Sequence, residues 1–521
     1  MVGPPNIGRL KPSVPATISN YSMPDHPSTN RMRVLGTETE FGIAAKDPSA
    51  IDPVSGSFAV IGHYPRLPAP GALWDYENEN PLLDARGFEV DGERERPNPD
   101  YNRQLNKVLA NGGRLYVDGA HPEYSTPECS NAREVVAFER VGERIFAACL
   151  HEMARVRGGE QYVLYKNNSD GKGNSYGYHE NYLVSRSVPF DRIARVLTPF
   201  LVTRPIFAGA GKVGAENQTS PTEYQISQRA DFFECLMDLN TMVKRPIINT
   251  RDEPHADAAR FRRLHVITGD ANMAELSTYL KVGTLDIVLD LLESGADLPE
   301  FELDEPVRAF KQVSRHLDVK ETVKLTGGRP TTALAVQRAY LSAAKTFFAS
   351  QDHSPTTHDV LLRWEDVLNR LDRDPRLLEN ALDWVAKRHM IESYMERKGC
   401  GWDDPRMKLM DLQYHDVRPD KGLFYTLERS RLIERIVEES DIQRAELNPP
   451  TGTRAYFRGR CVSKFAKALY GASWTSVLFD VGNTTIKKVP LMDPHRGTQT
   501  LTRELLDTTD SVDALIEKLK V

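Results

Sequence analysis

The chain has 521 residues, of which 40% are hydrophobic and 27% charged, values typical of a folded protein. A net charge of −6 excludes the basic surface expected of bulk nucleic-acid binding, so we expect no nucleic-acid partner. Five widely separated cysteines without a CxxC pair argue against a disulfide framework or a zinc ribbon and indicate the cytoplasm. No stretch approaches the ~20 apolar residues that span a bilayer, so we expect no membrane partner.

The first predicted folded element follows a segment without periodicity. Residues 1–31 are rich in Pro, Ser and Asn, and we interpret them as a disordered leader. The next sequence, RVLGTETEFGI, alternates and predicts a strand that places Glu38 and Glu40 on one face. A charged stretch with two prolines at 84–102 is interpreted as a surface loop.

The middle of the chain shows strand and helix patterns in an irregular order. Runs at 161–168 and 262–270 predict strands. Apolar residues at helical spacing predict helices at 282–296, 331–350 and 358–374. Long insertions rather than regular βαβ helices separate the strands, which favours an α+β fold.

The C-terminal segment has its own strand and helix patterns, SVLFDVGN and VDALIEKLKV. These patterns predict a small appended αβ unit. We therefore divide the chain after the leader into a large domain at 32–445 and a small domain at 446–521.

One stretch, GGRLYVDGAHPEYSTPEC at 112–129, combines a strand pattern with reactive side chains. Arg114, Tyr116 and Asp118 share one strand face, and Glu123 follows after a turn. An arginine fork suits phosphate, and an aspartate can act as a nucleophile or hold a water. Rows of Arg and Asp also form surface ion pairs, so this alternative stays open.

The two glutamates of the first strand suggest a metal site. Their carboxylates are expected roughly 6–7 Å apart, and Mg²⁺ binds carboxylate and phosphate oxygens. A solvated strand face is the alternative. The sequence has no Walker loop, HExxH or GxSxG, so a site for ATP would be of another type.

Six long motifs are distributed along the chain. They are GTETEFGI (36–43), NGGRLYVDGAHPEYSTPEC (111–129), YKNNSDGKGNSYGYHENYLVSR (165–186), INTRDEPHADAARFRRLHVITGDANMAE (248–275), DLQYHDVRPDKGLFY (411–425) and NPPTGTRAYFRGRC (448–461). Together they resemble one bacterial family, the Pup ligase and Pup deamidase family, a branch of the carboxylate–amine ligases related to glutamine synthetase. The resemblance runs from about residue 32 to the end of the chain.

The resemblance implies a glutamine synthetase-like large domain, with a curved sheet cradle packed by helices, and a small C-terminal αβ domain. The segment WDYENENPLLDARGFEV (74–90) is similar to the entry of an insertion found in the deamidase arm, although the loop at 89–104 is short for that arm. This arm deamidates the C-terminal glutamine of Pup and removes Pup from lysines. A Pup–protein ligase and a non-catalytic regulator that binds nucleotide and Pup are the alternatives.

The same resemblance implies ATP, or ADP plus phosphate, and Mg²⁺ as parts of the site. It implies Pup and pupylated proteins as partners, with a functional link to the bacterial proteasome. Asp118 matches the catalytic position, as nucleophile or general base. The implied metal-contacting residues are Glu38, Glu40, Tyr116 and Glu123, and the implied nucleotide-side residues are Arg114, Thr126, His179, Asn181, Arg229, Arg251, His265 and Trp474.

Pup is acidic, so its docking surface should be basic. A local basic stretch could contribute to that surface, with a solvated helix face as the alternative. Its members are Arg454, Arg458, Arg460, Lys464 and Lys467.

Overall fold

A computed structural model describes residues 32–45, 47, 52–92, 96–157, 161–241, 243–482 and 484–520. The leader predicted at 1–31 lies outside the described residues. Within them, no helix has both the length and the apolar character needed to cross a membrane.

The described residues mix strands and helices, which confirms the α+β class. The strands are β1 (Leu35–Glu40), β2 (Gly42–Ala45), β3 (Leu73–Trp74), β4 (Leu83–Asp84), β5 (Phe88–Glu89), β6 (Asn106–Val108), β7 (Arg114–Asp118), β8 (His121–Ser125), β9 (Tyr162–Tyr165), β10 (Tyr178–Ser185), β11 (Lys212–Val213), β12 (Tyr224–Gln225), β13 (Phe233–Asp238), β14 (Arg245–Asn249), β15 (Phe261–Val266), β16 (Thr322–Lys324), β17 (Pro330–Thr332), β18 (Leu469–Ser473), β19 (Ser476–Asp480) and β20 (Ile486–Pro490). The helices are α1 (Pro53–Gly62), α2 (Pro99–Leu105), α3 (Ala132–Arg157), α4 (Phe190–Thr203), α5 (Pro205–Ala208), α6 (Glu275–Ser294), α7 (Pro306–Arg315), α8 (Ala333–Phe348), α9 (Pro355–Arg373), α10 (Asp383–Lys398), α11 (Pro405–Tyr414), α12 (Leu423–Arg429), α13 (Glu439–Leu447), α14 (Ala455–Lys464), α15 (Gln499–Asp507) and α16 (Val512–Leu519).

An antiparallel sheet of six strands, in the order β15-β10-β1-β8-β7-β6, supports the predicted site. Along β1 burial alternates, and Leu35 joins the core on the side where α3 and α6 pack. The prediction of one strand over RVLGTETEFGI is wrong at Phe41, where the chain breaks into β1 and β2. The regular strand stops at Phe41, although its N–H still donates to Pro122 O of β8 at 2.9 Å and its ring packs against Phe146.

A second sheet, β20-β19-β18-β3, belongs mostly to the C-terminal part of the chain. Its strand β3 comes from far upstream and runs parallel to β18. Trp74 of β3 lies in one hydrophobic cluster with Phe457, Phe465 and Phe479. The unit predicted at 446–521 is therefore completed by residues 73–74, and the boundary at 445 stays a prediction.

The helix predictions are confirmed with shifted ends. The pattern at 282–296 is the second half of α6, which stops at Gly295 in the left-handed conformation with φ 74°. The patterns at 331–350 and 358–374 correspond to α8 and α9.

The interpretation of 84–102 as a surface loop is wrong at both ends. Asp84 is buried at the start of a β4–β5 hairpin and accepts a hydrogen bond of 2.6 Å from Thr250 Oγ1. At the other end, α2 begins at Pro99, and Asn98 caps it by accepting from the Tyr101 N–H. A proline at the first helical position favours a helix start, so the prolines misled the sequence argument.

A buried ion pair behind β10 gives a stability prediction. Arg204 donates to both oxygens of Glu180 at 2.7 and 2.8 Å, and both residues are almost fully buried. Arg204→Met leaves the carboxylate without its partner and should lower the free energy of unfolding by about 3–5 kcal/mol. The matched control, Arg308→Gln at an exposed pair with Glu305, should change it by less than about 1 kcal/mol. Equal losses in urea denaturation would contradict the prediction.

Candidate functional site

The register of the six-stranded sheet gathers most of the predicted site residues on one face. Cross-strand partners point to the same side of a sheet, with Cβ atoms about 4.5–5.5 Å apart. Glu38 of β1 pairs with His179 of β10 and with Ser125 of β8. Glu40, two residues further on, pairs with Glu123 of β8. The same alternation adds the other residues of this face, which are Arg114, Tyr116, Asp118, His121, Asn181, Arg263 and His265.

Four carboxylates occupy the centre of this face, and we call Glu38, Glu40, Asp118 and Glu123 the carboxylate cluster. Ligand atoms of Glu38, Glu123 and His179 lie within 4.8 Å of one another, and so do those of Glu40, Asp118 and Glu123. Oxygen-rich sets of this kind suit a hard cation such as Mg²⁺. The buried Oε2 of Glu123 has no hydrogen-bond partner among the described residues. The residues therefore fit a divalent cation.

A glycine allows β10 to approach this cluster. A Cβ atom on Gly177 would lie 2.6 Å from a Glu40 oxygen and 2.6 Å from His179 Nε2. The Glu40 N–H donates to Gly177 O at 3.1 Å, which holds the two backbones together. Any larger residue would fill the space between Glu40 and His179.

The members of the carboxylate cluster differ in pKa because their surroundings differ. Burial alone raises the pKa of Glu38, but His179, whose Nδ1 lies 3.9 Å from Glu38 Oε2, and the charge of Arg263 bring it well below its usual range. Burial, followed by the charge of Asp118, raises the pKa of Glu123 well above its usual range. The Asp118 side chain is exposed at the end of β7, yet loss of solvent around it and the charge of Glu40 raise its pKa. Neighbouring acidic residues whose pKa values are shifted in opposite directions are typical of functional sites.

A polar wall on β10 and β15 holds Glu38 in place. Asn181 Nδ2 donates to Glu38 Oε1 at 2.6 Å, and Arg263 Nη1 donates to Asn181 Oδ1 at 2.7 Å. Burial and the charge of Arg263 keep the pKa of His265 well below its usual range, so its imidazole is neutral. Sequence reasoning missed Arg263, although its position two residues before His265 on one strand gave the signal.

Beside Glu38 a pocket of about 330 Å³ opens between the two sheets. Arg114 lies at its floor, with its guanidinium 4.2 Å from the Trp74 ring centroid and 3.9 Å from that of Tyr116. Trp474, from the β18–β19 turn, packs edge-on against Trp74 at 5.0 Å. Predicted residues that line the pocket are Glu38, Arg114, Tyr116, Asp118, Thr126, Asn181, Arg251 and Trp474, and those that do not are Glu40, Glu123, His179, Arg229 and His265.

A buried ion triad joins the segment after β8 to α14 beside this pocket. Arg454 Nε donates to Glu128 Oε1 at 2.7 Å, and Arg458 binds both oxygens of the same carboxylate. The Arg458 guanidinium also lies 5.1 Å from the Trp474 ring centroid. These arginines are only 2% and 1% exposed, so the basic docking surface predicted at 454–467 is wrong for both of them. The pattern of charges could not show that Glu128, far upstream, neutralises them.

The remaining predicted residues take separate places. Thr126 follows β8, and its Oγ1 accepts from the Thr37 N–H at 2.9 Å. Arg251 follows β14 and reaches the pocket, where its buried Nε has no partner among the described residues. Arg229 is buried outside the pocket, where it donates to the carbonyls of Tyr178 and Ile267. Pocket residues such as His255 were missed because no sequence pattern marks them.

The fold and the site define a class of α+β proteins in which an acidic sheet face adjoins a ligand pocket. Residues 33–478 match the model of the Pup-ligase protein family, and the chain belongs to this family. It is 45% identical to the Pup deamidase/depupylase of Mycolicibacterium smegmatis and 46% identical to the depupylase of Acidothermus cellulolyticus. Each match covers 94% of this chain and 99% of the relative. The chain is accordingly a hydrolytic enzyme.

The ligases of the family are also similar. The Pup–protein ligase of Saccharomonospora viridis is 40% identical over 78% of this chain and 91% of the relative. The solved complex of Pup and its ligase PafA superposes with a TM-score of 0.77 at 31% identity, over 94% of this chain and 92% of that one. The Pup ligase PafA in complex with ADP gives 0.71 at 34% identity, over 81% of this chain and 96% of that one. The fold is therefore the one that this ligase has.

Removal of one charge from the carboxylate cluster should have opposite effects with and without metal. In EDTA, Glu123→Gln replaces a buried carboxyl group whose ionisation is opposed by burial and by three like charges, so the Tm should rise by about 2 °C. The same change removes a hard ligand, so Mg²⁺ should stabilise the variant much less than the parent. Thermal unfolding in EDTA and in Mg²⁺ measures both effects.

Glu365→Gln, at an exposed pair with Lys345, is the control and should change neither value. A lower Tm in EDTA would show that Glu123 is not destabilised by the neighbouring carboxylates. Undiminished stabilisation by Mg²⁺ would show that Glu123 is not a metal ligand.

Proposed function

We propose that this enzyme deamidates the C-terminal glutamine of Pup and cleaves Pup from the lysines of pupylated proteins. The observation that carries the proposal is Asp118, an exposed carboxylate with a raised pKa, at the junction of the carboxylate cluster and the pocket. Two relatives that match nearly the whole chain bear the names Pup deamidase/depupylase and depupylase.

We propose ATP, or ADP with phosphate, as the occupant of the pocket. Trp474 and Arg114 supply the aromatic and cationic surfaces that a nucleotide needs, and Arg251 offers a buried donor without a partner among the described residues. A related ligase structure contains ADP. Mg²⁺, held by Glu38, Glu40, Glu123 and the nearby Tyr116, would neutralise negative charge when bound.

The chemistry of the chain centres on Asp118. In one route its carboxylate takes a proton from a water molecule that attacks the amide carbonyl. In the other it attacks the carbonyl carbon itself, the amine leaves with a proton taken from water, and the hydroxide so formed cleaves the acyl bond to Asp118. Either route releases ammonia from glutamine or the lysine amine from a conjugate. The raised pKa makes Asp118 a stronger base than an ordinary aspartate.

The proposed partners follow from the same activity. Pup and pupylated proteins are the substrates, and removal of Pup links the enzyme to the bacterial proteasome. The similarity to a ligase solved with Pup supports recognition of Pup by this fold.

The proposal predicts the effect of Asp118→Asn. The change keeps the size of the side chain but removes its charge, so hydrolysis of Pup ending in glutamine should fall by at least about 10²-fold. Affinity for Mg·ATP and for Pup should change little. The control is Asp510→Asn, at a fully exposed side chain, which should keep full activity. Hydrolysis near the parental rate would refute the catalytic assignment.

Two further measurements separate the remaining possibilities. Acid quench followed by intact mass spectrometry distinguishes the routes, because only direct attack by Asp118 leaves Pup joined to the protein. A second assay distinguishes a hydrolase from a ligase. The protein is incubated with glutamine-terminated Pup, Mg²⁺ and ATP, and glutamate-terminated Pup and ADP are measured separately. A hydrolase forms product without stoichiometric ADP, whereas a ligase releases ADP with every bond.

A further inference from the structure

A half-buried arginine near the carboxylate cluster has an incomplete set of partners. Arg245 begins β14, and its Nη2 donates to Ser175 O at 2.6 Å. Its Nε is buried and has no hydrogen-bond partner among the described residues. The described acids that act on it, Glu40 and Glu234, do so through charge and without a hydrogen bond. The guanidinium thus keeps donor capacity for another group.

A second cation increases the need for an anion at this place. Arg229 is almost fully buried and binds backbone carbonyls, and its Nε also lacks a partner among the described residues. Burial, followed by the charge of Arg245, lowers the pKa of Arg229 to about 9, and the charges of Glu40 and Asp270 offset this only in part. Buried cations are stable only when an opposite charge compensates them. An oxyanion beside Arg245 would supply that charge.

The position of Arg245 selects the kind of anion. The pocket lies at the Glu38 end of β1 and does not reach Glu40. Arg245 donates to Ser175 O and Arg229 to Tyr178 O, on either side of Gly177, whose carbonyl accepts from the Glu40 N–H, so both arginines lie near the Glu40 end of the cluster. Asp118 lines the pocket and also belongs to the group around Glu40. A substrate amide that enters at the Glu40 end of this face approaches Asp118 from the side on which Arg245 lies.

We propose that Arg245 binds the α-carboxylate of the C-terminal residue of the substrate and so restricts the enzyme to amides on a free chain terminus. This inference rests on the proposed function. The side-chain amide to be hydrolysed is only a few bonds from that α-carboxylate. Glutamine-terminated Pup and a lysine conjugate both keep it free, so one receptor serves both reactions. A guanidinium fork matches a carboxylate geometrically.

The test compares two synthetic Pup chains that end in glutamine, one with a free α-carboxylate and one with an α-carboxamide. With the parent enzyme, the carboxamide should raise KM by about 10- to 100-fold, the range for a lost charge-assisted hydrogen bond, with a smaller effect on kcat. Arg245→Gln should raise KM for the free acid to a similar extent and remove the discrimination. Arg245→Lys keeps the positive charge and should retain part of the discrimination between the two chains.

Arg376→Gln, at an exposed pair with Asp374, is the matched control and should keep the parental discrimination. ADP and inorganic phosphate binding are measured for each variant, because phosphate shares the oxyanion chemistry. The inference is overturned if the parent hydrolyses both chains with equal KM, or if Arg245→Gln still discriminates. It is also overturned if that variant loses phosphate or ADP affinity by the factor that KM gains.

The outcomes distinguish a failure of the Arg245 inference from a failure of the proposed function. If the parent hydrolyses neither chain, the proposed function and the inference both fail. If it hydrolyses both equally, the function stands and the inference fails. The parental comparison needs no variant, so a failure of Arg245→Gln to fold would leave the test intact.

Discussion

Mutual repulsion among carboxylates on one sheet face is the constraint on which the arrangement of this molecule depends. The period of two along β1 and β7, together with the antiparallel register to β8, brings Glu38, Glu40, Asp118 and Glu123 together. Such a group is stable only when donors and cations surround it. The asparagine, histidines and arginines of β10, β15 and the loop after β14 meet this need around Glu38.

The surrounding donors and cations act unequally on the carboxylates of this face, so their pKa values differ. Hydrogen bonds and positive charge favour the ionised form of Glu38, whereas Glu123 and Asp118 have raised pKa values. Glu40 also has a lowered pKa, so the two glutamates of β1 resemble fixed anions, whereas Glu123 and Asp118 resemble proton acceptors. The two roles need no difference in residue type, because environment alone separates them.

Sequence patterns predicted what depends on local periodicity. Alternation gave the faces of β1 and β7, and helical spacing gave α6, α8 and α9. What failed depends on distant partners: Arg454 and Arg458 look like surface cations until Glu128 is placed between them. The register that brings His179 opposite Glu38 is equally invisible in a single sequence, and the family resemblance, rather than physics, supplied that residue.

The pairing of β3 with β18 has a consequence for the order of events during synthesis. Residues 73–74 can pair only after residues 471–472 have been synthesised. Closing so long a loop has an entropic cost, which is compensated only when the whole interface has formed. Trp474 and the arginines that bind Glu128 leave the ribosome at the same late stage. The wall of the pocket is thus completed after the sheet that carries the carboxylates. Until residues 471–474 have been synthesised, the acidic face therefore lacks part of the wall of its pocket.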